Sequence, residues 1–156
     1  MTMAPKVDRY LADHHIAHRV VTHAPTPTTS EAAQATHISG DQIAKAVVLR
    51  DGDGFVLAVV PASHHVSLER VQAVLGRPVE LASEQEASDL FPDCDLGAIP
   101  PIGQIYGVDV LLDESLARLD QVCFEGGDHR SLVQVSGEDF ARLMDAAHSG
   151  SFSMHD

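Results

Sequence analysis

The sequence predicts a single mixed α/β (α+β) domain, and three observations carry that expectation. The stretch QIAKAVVLRDGDGFVLAVVPA (42–62) holds two runs of strand-forming residues around an Asp-Gly turn, the pattern of a β-hairpin. SLERVQAVLG (67–76) and SEQEASDLF (83–91) are helices with their start and stop signals written in. No internal repeat or composition break divides the 156 residues, which suffice for one core. The domain is expected to span 1–156, with its core over about 5–148 and a frayed tail over 149–156.

In chain order, Pro5 opens a helix to about residue 15, with Val7, Tyr10 and Leu11 on one stripe. IAHRVVTH (16–23) alternates weakly as a strand. APTPTTS (24–30) is a loop, because prolines join neither ladders nor helix interiors. Ser30 precedes a helix over about 31–36, and Asp41 caps a further turn before the hairpin. In the 67–76 helix Ser67 is the cap, Leu68, Val71 and Leu75 face inward and Gly76 ends it. PVELA is a short strand, and Ser83 with Glu86 makes a capping box. A Gly/Pro-rich loop, DLGAIPPIGQIYG, leads into strands VDVLLDE, QVCFEGG and SLVQVS and a final helix in SGEDFARLMDAAH.

Composition excludes several classes. With 23 acids against 10 Lys plus Arg the net charge is −13, which argues against broad grip on a phosphate backbone such as DNA. Any nucleic-acid contact must be small, local or assisted by another protein. There is no run of 18 apolar residues and no signal-peptide pattern at the N-terminus, so no membrane partner and a cytoplasmic location are expected. Cys94 and Cys123 have no metal-type spacing and are expected to be reduced thiols.

Lys45 is one of two lysines, and strand alternation puts it on the face of Ile43, Val47 and Leu49. Burying an unpaired ammonium costs several kcal/mol. It is either an edge lysine whose stem snorkels to water or the floor of a pocket for a phosphate or carboxylate. The loop GAIPPIGQIYG (97–107) is either a rigid connector or a presenter of backbone amides to a ligand. FEGGDHRSL (124–132) reads first as a turn, with Gly126 and Gly127 allowing close backbone approach. His14 and His18, four apart, straddle a helix end, His64 and His65 are adjacent, and no H-E-x-x-H pattern exists, so no metal is expected. Neither a G-x-S-x-G elbow nor a phosphate-binding Gly loop is present, so an enzyme here would activate water or use groups of its substrate.

QIAKAVVL, GAIPPIG and FEGGDHRSL…SGEDFARLM, in this order and spacing, resemble the YbaK-type aminoacyl-tRNA deacylases, the domain that also occurs as an editing insertion in bacterial prolyl-tRNA synthetases. The resemblance covers about residues 5–148. It implies a mixed, mostly antiparallel sheet flanked by helices, with a pocket between the lysine strand and the Gly/Pro loop. The implied reaction is hydrolysis of the ester joining a wrong, small amino acid to a tRNA (tRNA-Pro or a relative), without cofactor or metal. A ribose hydroxyl of the tRNA, or a cysteine thiol of the substrate, would assist. Lys45 would hold the terminal adenosine and its phosphate, and Gly97 would position the carbonyl or the attacking water. His23, Ala46, Pro101, Gly103, Gly126, Gly127 and His129 would line the pocket. Relatives often carry Thr or Asn where Ala46 stands, and Ser-Pro in place of Pro100-Pro101. The implied partners are the acceptor end of an aminoacyl-tRNA and a synthetase that presents it. The alternative reading is a non-catalytic module that senses an aminoacyl or nucleotide group.

Overall fold

The computed structural model describes residues 3–24, 26 and 29–156; within the loop expected at 24–30, residues 25, 27 and 28 lie outside the described set. The elements run α1 (Pro5–Asp13), β1 (His18–Thr22), α2 (Thr29–Thr36), β2 (Ile43–Asp51), β3 (Gly54–Pro61), β4 (His64–Val66) and α3 (Leu68–Leu75). They continue β5 (Glu80–Leu81), α4 (Glu84–Leu90), β6 (Asp109–Asp113), β7 (Gln121–Glu125), β8 (Ser131–Ser136), α5 (Gly137–Leu143), β9 (His148–Gly150) and β10 (Ser153–His155). Short 3-10 turns occupy Gly40–Gln42, Gly103–Tyr106 and Glu114–Leu116.

The local signals account for most of these boundaries. Asp51 pairs with Gly54, which leaves a two-residue Gly-Asp turn between β2 and β3. Ser67 accepts the Arg70 amide and Gly76 closes α3 in the left-handed conformation. Ser83 and Glu86 cap α4 reciprocally, as a capping box requires. Two signals act differently from expectation. The helix placed at about 31–36 begins at Thr29, with Ser30 inside it. The turn before β2 is capped by Ser39, whose hydroxyl accepts the Asp41 amide, because a cap must precede the first turn.

The main sheet runs β1-β8-β7-β2-β3-β6-β9, with β5 pairing β2, and a second two-stranded sheet joins β10 to β4. Antiparallel pairs predominate; β2/β7, β3/β6 and β6/β9 are parallel. One face carries the largest apolar cluster, where α1, α4 and α5 bring Val7, Leu11, Ala87, Phe140 and Leu143 onto Leu57, Val59 and Phe124. The opposite face holds two smaller clusters. One gathers Leu49, Val60, Val71 and Phe152; the other gathers Ala32, Ile43, Cys123 and Leu132.

The C-terminal tail corrects the expectation of fraying. Residues 148–150 extend the sheet along β6, and 153–155 pair with β4. The cause is Phe152, which is fully buried between them. Its amide and that of Ser153 donate to the buried Asp113 carboxylate at 3.0 and 3.1 Å. A buried aromatic and two charge-assisted bonds outweigh the entropy of ordering a few residues.

Candidate functional site

Register brings the site together. In the main sheet β1, β7 and β2 all run in one direction, since β8 is antiparallel to both β1 and β7 and β7 is parallel to β2. Val21 pairs with Leu132, and Leu132 pairs with Glu125. Ile43 pairs with Cys123, so Lys45 and Glu125 are each two residues further along, on the same face. The β2/β7 ladder stops at Ala44 and Phe124, just before them. On that same edge β5 pairs β2 again only at Leu49 and Arg50. The sheet therefore has a notch beside Lys45, where β7 ends at Glu125 while β2 runs on to Asp51.

Lys45 lies opposite Val60 and is half-buried. Burial lowers the pKa of its ammonium, and the charge of Asp156 partly opposes this. Among the described residues it has no hydrogen bond or ion pair, so its charge is available to a ligand.

Around the ends of β1 and β7 lie polar atoms that are buried and, among the described residues, without a hydrogen-bond partner of good geometry: His23 Nε2, Thr26 Oγ1, His129 Nδ1 and both carboxylate oxygens of Glu125. Native proteins leave few such atoms unpaired, because each costs about 1–3 kcal/mol. Two backbone bonds set them side by side. His23 donates its amide to the Arg130 carbonyl at 2.8 Å, and Thr26 donates to that of His129 at 3.2 Å. His23 Nδ1 sits 2.7 Å from the Ala24 carbonyl, which can only accept, so Nδ1 carries the hydrogen and neutral His23 offers the lone pair of Nε2 inward.

Glu125 is 1% exposed. Burial first, and then the charge of Asp128, push its pKa up to about 8, against a smaller downward pull from the Thr29 hydroxyl. That hydroxyl lies close enough to the carboxyl to draw its pKa down, and it donates to the Gly97 carbonyl at 3.5 Å. This contact joins the Gly/Pro loop to the start of α2. Gly97 is exposed, with φ +82°, and its backbone faces solvent at the mouth of this group.

Asp128 holds the turn that follows Glu125. Its carboxylate accepts the Arg130 amide at 3.0 Å, the Ser131 amide at 2.8 Å and the Ser131 hydroxyl at 3.0 Å. The turn places His129 at φ +59°, a conformation that L residues seldom adopt. Gly126 and Gly127 pack against the N-terminus: a Cβ on them would lie 2.8 Å from the Cβ of Met3 and of Ala4 respectively. Their smallness serves that packing, which fixes the turn from behind.

The residues expected at the site from sequence thus divide. His23 and His129 follow the ends of β1 and β7, Lys45 stands beside the end of β7 on interior strand β2, Gly97 meets the start of α2, and Gly126 and Gly127 fix the turn that carries His129. Ala46 points to the opposite face, where it packs against the largest cluster. Gly103 is buried against Val108, whose carbonyl would be 2.6 Å from an added Cβ, and Pro101 is buried within the same loop. Strand alternation explains Ala46, since neighbours along a strand cannot share a face. Glu125 and Thr26 were missed. Glu125 carried the signal that singled out Lys45, a charged residue at an inward strand position, two after buried Cys123.

Two other places bear on ligands. Asp41, His64 and His155 offer three ligand atoms within 4.8 Å of one another, while His65 Nδ1 sits 2.7 Å from the Asp156 carboxylate. None of the sequence spacings indicated this trio. Asp41 and His155 are exposed, and Asp41 is engaged by the Ser63 hydroxyl and by His155 Nε2 at 3.4 Å. A groove of about 430 Å³ lies at the hairpin end, lined by Arg50, Arg77, Pro78 and Val79 among others. Its guanidinium groups are paired already, Arg50 with Glu80 and Glu86 and Arg77 with Asp51, so unsatisfied chemistry lies at the notch and not there. Both thiols are poor nucleophiles, since burial pushes Cys94 up to about 12 and Cys123 to about 11.

The aminoacyl-tRNA editing domain model matches residues 23–143, most of the chain and all of the strand ends just described. The chain belongs to the aminoacyl-tRNA editing domain family. This editing domain is 30% identical over 125 residues to a proline–tRNA ligase of Bacillus cytotoxicus, and 28% identical to one of Bacillus cereus. Each alignment covers 78% of the chain and 22% of the ligase, so the chain spans about a fifth of the length of these relatives. A crystal structure of a proposed trans-editing enzyme for prolyl tRNA synthetase superposes with TM-score 0.83 at 26% identity, covering 97% of this chain and 96% of that one. A hypothetical protein of known structure has TM-score 0.85 at 23% identity, over 96% and 99% of the two chains, and shares the fold.

Proposed function

We propose that this editing domain is a trans-acting deacylase that hydrolyses the ester between a small, wrongly attached amino acid and the 3′ end of a tRNA, tRNA-Pro or a relative. The observation that carries the reading is the set of buried, unpartnered polar atoms gathered beside an unpaired lysine at the notch of the sheet. They are an aqueous or ligand-bound constellation, because a dry core would pair them. The likeness to ligase editing regions and to a proposed trans-editing enzyme supports tRNA as the substrate and a synthetase as the presenting partner.

In this reading Lys45 draws in the terminal phosphate or adenosine as a point charge. The exposed backbone at Gly97 lies against the ester carbonyl or the attacking water. His23 Nε2 accepts a hydrogen bond from that water or from a ribose hydroxyl. Water adds to the carbonyl carbon, the bond from that carbon to the ribose oxygen breaks, and the oxygen leaves with a proton as the hydroxyl. No side chain forms a covalent intermediate, in keeping with the raised pKa of both thiols. The net charge of −13 favours contact limited to the acceptor end, with a synthetase supplying the rest of the grip, and cytoplasmic action follows from such partners.

The test is a deacylation panel with tRNAs carrying Ala, Ser, Cys, Thr or Pro, with Lys45→Ala alongside. Hydrolysis of one small aminoacyl ester, reduced about 100-fold or more in the variant, is the expected result. Binding of these tRNAs without hydrolysis by the wild type would contradict catalysis and leave a sensing module.

A further inference from the structure

Glu125 is the buried group that the proposed hydrolysis does not use. Among the described residues neither of its oxygens has a hydrogen-bond partner of good geometry, and 1% of the residue is exposed. Its surroundings are assembled from four segments. Lys45 projects from β2 at the same register without pairing to it, Asp128 adds a second negative charge from the turn, and the Thr29 hydroxyl approaches from α2. His23 and His129 close the end of β1 and the turn. This carboxyl lacks a cation that donates hydrogen bonds. An anion or an apolar side chain would leave the carboxylate unmet and a sugar hydroxyl offers it one donor; a primary ammonium offers three donors and the compensating charge.

We propose that Glu125 is the residue that receives the α-ammonium of the aminoacyl group, so that the site reads the free amine of its substrate. This rests on the deacylase reading above. The ammonium is joined through the α-carbon to the carbonyl that water attacks, so holding it at the end of β7 directs that carbonyl toward Gly97 and His23 at the mouth. An N-blocked ester, or one whose nitrogen is already acylated as in a peptidyl-tRNA, would be refused. A buried charge is tolerated when paired and costly when not. In the empty site the carboxyl keeps its proton at neutral pH, in line with its upward shift to about 8. On binding, Glu125 loses that proton to solvent and the carboxylate pairs with the incoming ammonium. Charge balances, with one proton released per ligand bound in its cationic form. The other charged and titratable groups that face it are Lys45, Asp128, His23 and His129, and substitution of Glu125 isolates its own share of the protons released.

The experiment is calorimetric titration of the full chain with two stable amides: 3′-alanylamino-3′-deoxyadenosine and its propionyl counterpart, identical but without the amine. Titrations run at pH 6.5, below the α-amine pKa of about 7.7–8.0, in two buffers of different ionisation enthalpy. The expected result is about tenfold or greater preference for the amine by wild type, with close to one proton released. Glu125→Gln, which keeps size and fold, then binds both amides within about threefold and releases none. If Glu125→Gln keeps the preference and the release, or if wild type binds both amides equally, the assignment of Glu125 is overturned while the deacylase reading stands. If wild type binds neither amide yet the Lys45-dependent deacylation is present, the assignment again falls alone. If both binding and deacylation are absent, the two fall together.

Discussion

Asp113, Glu125 and Asp128 are the buried carboxylates among the described residues, and the first two sit in opposite conditions. Asp113, at the end of β6 and 3% exposed, accepts from the Ser115 amide and hydroxyl and from the amides of Phe152 and Ser153. Burial alone would raise its pKa, but bonds from Ser115 and Phe152 hold it below the usual carboxylate range. Glu125, at the end of β7, is as deeply buried and, among the described residues, has no well-formed hydrogen bond on either oxygen. One acid is a structural knot that ties the C-terminus to the sheet; the other is an unmet requirement. Burial does not separate the two, and satisfaction does.

The comparison is broken most severely by removing what Asp113 organises. Phe152→Ala should destabilise the domain by about 3–5 kcal/mol in denaturant unfolding, since it empties the fully buried contact between β9 and β10. Asp113→Asn comes next, with a loss of about 2–3 kcal/mol from weakened charge-assisted bonds. Its pH signature follows from the lowered folded pKa. The stabilisation is present above the ordinary value of 3.8 and fades as pH falls below it, so the gap between wild type and variant should close in acid. A gap independent of pH would show that the charge is irrelevant.

Glu125→Gln should act in the other direction. The folded pKa is raised from 4.5 to about 8, so the folded state keeps a proton that the unfolded chain gives up. Wild-type stability therefore declines as pH rises from about 4.5 toward 8, and the amide removes that decline. A gain of about 1–2 kcal/mol at pH 7.5, shrinking toward pH 5, is expected from thermal and urea melts. A loss at pH 7.5 would mean that Glu125 is paired in the empty protein. The smallest effect serves as a reference away from both acids: Ser83→Ala should cost about 1 kcal/mol, the worth of one helix cap.

The same contrast explains what was legible in the sequence. Signals that act within a few residues, such as Asp-Gly at 51–52, Ser67 with Gly76 and Ser83 with Glu86, gave the hairpin and two helices with their ends. Lys45 stood out because alternation alone placed it among aliphatics. Glu125 carried the same signal but sat beside two glycines that read as a plain turn. The tail was misjudged because its order comes from Asp113, 39 residues away from Phe152, and no local pattern announces a long-range bond. Ala46 was assigned to the pocket through its neighbour, where the two-residue period of the strand sends it to the other face. The Asp41, His64 and His155 trio was hidden for the same reason as the tail, since β10 brings His155 to residues far earlier in the chain.

The central claim is that the unsatisfied strand ends, and not the grooves elsewhere, are where the aminoacyl end binds. The most direct measurement is an NMR titration of the isotope-labelled full chain with 3′-alanylamino-3′-deoxyadenosine. The account predicts that the largest shifts fall on His23, Lys45, Gly97, Glu125 and His129, with the residues around Asp113 and the Arg50–Arg77 groove unmoved. Saturable shifts centred on that groove or on the Asp113 side, with His23, Lys45, Glu125 and His129 silent, would contradict it.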